Sequence, residues 1–170
     1  MQHIHIKLFV ENPDSIAITD AIAVFHRWIQ TSAVPGMLID VADYSHVVNG
    51  PGVVLIGHEA YYSLDVAKGR LGLLYQRRTK ADGTDAENLL DAWTLARAAA
   101  EILEQAPEFA GKLRFRQDEL TVTLNDRLLY PNTDETWVAV EPSLRSVLDG
   151  YTLVRNDDPR ERFEVLATRA

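Results

Sequence analysis

From His3 to Glu11 apolar and polar positions alternate: Ile4, Ile6, Leu8 and Val10 fall on one face, and His3, His5 and Lys7 share the other with Phe9. A period of two predicts a half-buried strand. Asn12-Pro13-Asp14-Ser15 then offers turn and helix-capping chemistry, after which Ile18, Ile22, Phe25 and Ile29, flanked by Ala21 and Trp28, recur at helical spacing. The helix is expected to stop before Pro35-Gly36. Leu38 to Val47 and Val53 to Leu64 read as two strands joined by Asn49-Gly50-Pro51-Gly52, with a third from Arg70 to Arg78.

Thr84 and Glu87 have capping-box spacing ahead of a long amphipathic stretch carrying Leu89, Trp93, Ala96, Ala99, Leu103 and Ala106. This second helix should end near Pro107. Leu113 to Gln117 and Leu120 to Leu124 read as a hairpin, and Asn125-Asp126 as a further turn. Asn132 or Thr133 can cap a third helix through Trp137, Val140, Leu144 and Val147, kinked or restarted at Pro142 and closed by Gly150. Tyr151 to Arg155 and Arg162 to Ala167 complete the pattern as strands. Helices thus sit between runs of antiparallel strands, which predicts an α+β fold: a mainly antiparallel sheet packed with about three helices. The opening portion fits a ferredoxin-like split βαβ unit with an added strand.

Composition narrows the functional classes. The chain has 170 residues, enough for one globular domain over 1–170, and its 46% hydrophobic and 25% charged residues predict a packed core. The breaks at Arg78 to Thr84 and Pro107 to Lys112 are the only plausible internal boundaries. A net charge of -8 argues against nonspecific attraction to nucleic acid or anionic lipid. With no cysteine the chain can hold neither a thiolate-bound metal nor an iron-sulfur cluster by its own thiolates. The N-terminus lacks signal-peptide character and no apolar run is long enough for a membrane span, so a soluble, cytoplasmic protein is expected.

The richest stretch in candidate chemistry is LIDVADYSHVVNGPGVVLIGHEAYYSLD, from Leu38 to Asp65. With the bend centred near Gly50, His58 would lie opposite Ala42 and diagonal to Asp40 and Tyr44, and His46 would share their face. Asp40, His46 and His58 then form a candidate divalent-metal set, and Tyr44, His46 and His58 a candidate acid/base set. A one-residue slip would move His58 to the other face. Backbone N–H groups of Asn49, Gly50 and Gly52 could meet an anion, although a plain hairpin connection explains them better.

His3 and His5 have a His-x-His spacing that a polar strand face also explains. Arg70, Arg77, Arg78 and Lys80 could border an anionic ligand or simply protect a solvated strand face. Asn156 to Arg160 reads as a polar turn. Common nucleophile-elbow, zinc-protease, calcium-loop and kinase signatures are absent.

FHRWIQ, LIDVADYSHV, GPGVVLIGHEAYYSLD, GRLGLLYQRR and the stretch Asn156 to Phe163 together resemble a family of uncharacterised bacterial proteins of about this length. The resemblance implies a single full-length domain and carries over no activity and no catalytic residue. The expectation is therefore a non-catalytic domain that binds a protein partner or small ligand. The alternatives are a metal-dependent or acid/base enzyme using Asp40, Tyr44, His46 and His58, and a homo-oligomer formed through an exposed strand edge.

Overall fold

Eight strands form one antiparallel sheet in the order β2-β3-β4-β5-β1-β6-β8-β7. They are β1 (Ile4–Val10), β2 (Leu38–Tyr44), β3 (Gly52–Gly57), β4 (Ala60–Asp65), β5 (Gly72–Arg77), β6 (Phe115–Leu124), β7 (Thr152–Arg155) and β8 (Phe163–Thr168). The helices are α1 (Asp20–Thr31), α2 (Asp85–Glu104) and α3 (Asp134–Val147). The computed structural model describes residues 1–170. No helix is long and apolar enough to cross a membrane.

The α+β expectation holds in the placement of every helix. The apolar positions of β1, Ile4, Ile6, Leu8 and Val10, join the core with Leu55, Tyr62, Leu73, Val122 and Val165 of neighbouring strands. Helix residues close the same core: Phe25 and Trp28 from α1, Leu89, Ala96 and Leu103 from α2, and Val140 and Leu144 from α3. The buried stripe of α2 is mostly alanine, so its backbone can lie near β1 and β5 without a thick layer of side chains between. Thr84 and Glu87 form the expected capping box, and Thr133 caps α3, which continues through Pro142.

The ferredoxin-like split βαβ unit expected for the opening portion is corrected: three strands, the whole β3-β4-β5 meander, separate β1 from β2. Pairing makes β1 and β2 parallel in direction, with β3, β4 and β5 standing between them. Because α1 crosses this whole meander to reach the sheet edge, β1 becomes a central strand.

Several local expectations are corrected. Val53 to Leu64 is two strands, β3 and β4, because the chain turns at Gly57-His58-Glu59. Phe115 to Leu124 is one continuous strand, its irregularity absorbed by a register shift against β1 between Leu8 and Val10. Asp14 and Ser15 belong to a separate short turn and do not cap α1, which begins at Asp20.

Candidate functional site

The hairpin that held the strongest sequence candidates does not bring them together. Tyr44 pairs with Gly52, Ala42 with Val54 and Asp40 with Ile56, so the hairpin is centred near Val48. The connection is longer than a Gly-Pro-Gly bend because two successive turns precede it: Val47 N–H donates to the Tyr44 carbonyl at 2.9 Å, and Gly50 N–H to that of Val47 at 3.0 Å. Val54, not His58, therefore faces Ala42. His58 lies in the next turn, where its N–H donates to the Met37 carbonyl at 2.8 Å.

Asp40, Tyr44, His46 and His58 are all exposed. Asp40 accepts from the Val41 N–H at 2.8 Å. His46 influences Asp43 instead, whose carboxylate is held low first by hydrogen bonds from Ser45 and then by the His46 charge. No three His, Asp or Glu side chains anywhere are grouped to hold a metal ion. The glycine-rich connection is equally occupied. Asn49 accepts from the Gly69 N–H at 3.0 Å, Gly50 donates to Val47, and a Cβ on Gly52, whose φ is +63°, would lie 2.0 Å from the Leu64 carbonyl oxygen. The Gly50 N–H is thus already engaged, and Gly52 serves close packing against β4.

A different constellation gathers on the sheet face opposite the helices. Period-two alternation turns His5, Lys7 and Phe9 of β1 to that side, and antiparallel register extends them into ranks. Gln76, His5, Thr123 and Glu164 form one rank across β5, β1, β6 and β8, and Leu74, Lys7, Thr121 and Leu166 form the next. These eight residues line a concave cavity of about 430 Å³. His5 and Lys7 are each only 8% exposed although no helix covers them. Phe9 and Val54 are likewise buried, yet neither belongs to the helix-side core.

What shelters this face is the chain that leans over it, Ala67 and Lys68 on one side and Arg127, Glu161 and Arg162 on the other. Lys68, in the β4–β5 connection, donates to the Glu164 carboxylate of β8 at 2.8 Å. On a flat sheet those points would stand roughly 15–19 Å apart, at about 4.8 Å per strand. The ion pair thus spans the cavity. The connection is tied from beneath as well: Lys7 Nζ pairs with Asp65 and donates to the Ala67 carbonyl at 3.2 Å, and Asp65 accepts from the Ala67 N–H at 3.3 Å.

Lys7 reaches Asp65 by crossing β5 at Gly72. A Cβ there would sit 3.0 Å from Lys7 Cε and 2.5 Å from the Leu8 carbonyl oxygen. Burial holds the Lys7 ammonium below the usual lysine range, with Asp65 opposing that effect. At the Phe9 end, the Arg70 guanidinium lies 3.5 Å from the Phe9 ring centroid and forks onto Glu119 at 2.7 and 2.9 Å. Cation–π stacking and a bidentate pair fix it in place.

At the other end lie Arg127 and Arg162, which line the cavity and enter no ion pair. His5 sits beside them. Burial first, then the charges of Arg162 and His3, push its imidazole down to about 4. It is therefore neutral at pH 7, with one ring nitrogen able to donate and the other to accept. No hydrogen bond to protein contributes to that shift.

The site was partly visible in sequence. The alternation of β1 places His5, Lys7 and Phe9 on one strand face, and Arg70 is among the cations that the sequence offers as a border for an anion. What sequence could not supply was the central position of β1, which α1's long crossing determines. Arg127, Arg162, Glu161 and Glu164 carried no local motif. No family model, no curated protein and no solved structure matches the chain.

Proposed function

We propose that this chain is a small-ligand-binding domain whose site is the concave sheet face around His5, Lys7, Thr121 and Thr123. The observation that carries the reading is the sheltered cavity itself. Its volume of about 430 Å³ lies within the usual range for small-molecule sites, and its lining sets Phe9, Ala67, Leu74 and Leu166 among a majority of polar and charged residues, which suits a ligand that carries a charged group.

Binding is favoured over catalysis because the candidates for proton transfer on the strands themselves, His5, Asp65 and Glu164, are weak or already engaged, and Glu161 is the one unpaired acid of the lining. His5 is a poor base at about 4. Asp65 holds Lys7, while Glu164 divides its oxygens between Lys68 and the Thr123 hydroxyl, the latter at 3.2 Å. A good general base has a pKa near the operating pH and free access to its proton.

A fragment screen followed by thermal shift tests the reading. Compounds that raise the wild-type melting temperature should lose that effect in Thr121→Trp, which fills the middle of the cavity, and in Leu166→Trp. Compounds acting equally on wild type and both filled variants, each checked for folding by circular dichroism, would contradict the site.

A second reading, self-association at the β2 edge, has one observation in its favour. Met37, Ile39, Val47 and Val48 are all exposed along that hairpin. Sedimentation equilibrium of wild type against Ile39→Lys separates the two, because only an edge-mediated dimer would dissociate.

A further inference from the structure

We propose that the ligand of this cavity is a monocarboxylate with an apolar body, its carboxylate held between Arg127 and Arg162 beside His5 and its body lying between Leu74 and Leu166. The inference deepens the ligand-binding reading and rests on it.

The lining cations are not equivalent. Lys7, Lys68 and Arg70 are each matched by a carboxylate, from Asp65, Glu164 and Glu119 respectively. Arg127 and Arg162 are not. The one acid of the lining left outside these pairs is Glu161, whose charge acts on Arg160. Two free guanidinium groups against one carboxylate leave a single uncompensated positive charge at this end, in a chain whose net charge is -8.

A carboxylate supplies one negative charge and the planar geometry that an arginine fork matches. A phosphate monoester brings up to about two charges, more than this end neutralises. The neutral His5 ring adds a hydrogen-bond donor without adding charge.

The cavity also has direction. Along β1 the lining passes from His5, through Lys7, to Phe9, and Leu74 and Leu166 flank the middle rank. Arg70 is clamped over Phe9 by Glu119, so the far end presents a packed surface, not a second free cation. An end with two unpaired guanidinium groups and a middle flanked by Leu74 and Leu166 describe an acid with an apolar body.

The test uses three matched probes, 4-phenylbutyrate, its primary amide and 3-phenylpropyl phosphate, titrated calorimetrically into the full chain. The carboxylate should bind about 10- to 100-fold more tightly than the amide, the range set by hydrogen bonds to charged groups. Arg127→Ala/Arg162→Ala should remove that preference while leaving amide binding in place. Both substituted side chains are exposed, so the variant is expected to fold. An NMR titration adds an independent readout, because bound carboxylate should raise the pKa of His5 and bound amide should not.

Equal affinity for acid and amide, both lost in Thr121→Trp, would overturn the carboxylate assignment and leave the cavity as the site. Tighter binding of the phosphate would overturn the single-charge argument. No binding by any of the three would overturn the inference, whereas the ligand-binding reading falls only if the wider fragment screen is blank as well.

Discussion

His5 and the Lys7–Asp65 pair are where the chemistry of single residues weighs most. The His5 ring titrates near 4 in the folded chain and near 6.5 when unfolded, so between those values the unfolded state binds more protons. Its contribution to stability is full above about pH 6.5 and is lost as pH falls toward 4, by up to roughly 3 kcal/mol. His5→Gln should therefore show a flatter acid limb than wild type in urea melts taken from pH 7 to 4; parallel limbs would contradict a neutral buried ring. For the ion pair, Asp65→Ala should destabilise by about 3–5 kcal/mol, because it leaves an ammonium buried without a partner. The apolar double variant Lys7→Met/Asp65→Leu should recover most of that loss. Failure to recover would mean that the pair also holds the β4–β5 connection through Ala67.

At the scale of elements, Gly72 decides whether β5 can lie between Lys7 and Asp65. Gly72→Ala should cost about 1–3 kcal/mol by overpacking, since the new Cβ meets both the Leu8 carbonyl and the Lys7 side chain. A neutral effect in denaturant titration would contradict that close approach. The β2–β3 hairpin gives the opposite expectation. His46→Ala/His58→Ala removes two exposed side chains and should change stability by no more than about 0.5 kcal/mol without altering ligand response. Loss of response in this variant would return the site to the hairpin. Much of the element pattern was legible because periodicity and caps are local: the β1 strand, the Thr84/Glu87 box and the Thr133 cap are all present, although β1 is buried on both faces and not half-buried as its alternation predicts. The hairpin register was not, because Asn-Gly marks a turn without fixing where it is centred. Tyr44 and Val47 begin that turn earlier, and this alone moves His58 away from Ala42.

For the whole molecule, the helices occupy one side and leave the other to be covered by connecting segments, chiefly the β4–β5 connection. This explains why polar groups of β1 are as buried as parts of the core. The alternation His5, Lys7, Phe9 in sequence is that of an ordinary half-solvated strand. Its different meaning arises from β1 lying between β5 and β6 while Lys68 reaches over to Glu164. Strand order and the overhanging connection are long-range properties, which no local spacing records. The most direct measurement of the central claim is amide chemical-shift mapping during titration with 4-phenylbutyrate or the strongest fragment from the screen. Perturbations concentrated at His5, Lys7, Gln76, Thr121, Thr123 and Glu164, and absent in Thr121→Trp, are the predicted result. Perturbations centred on Tyr44, His46 and His58, or scattered without relation to the concave face, would contradict the account.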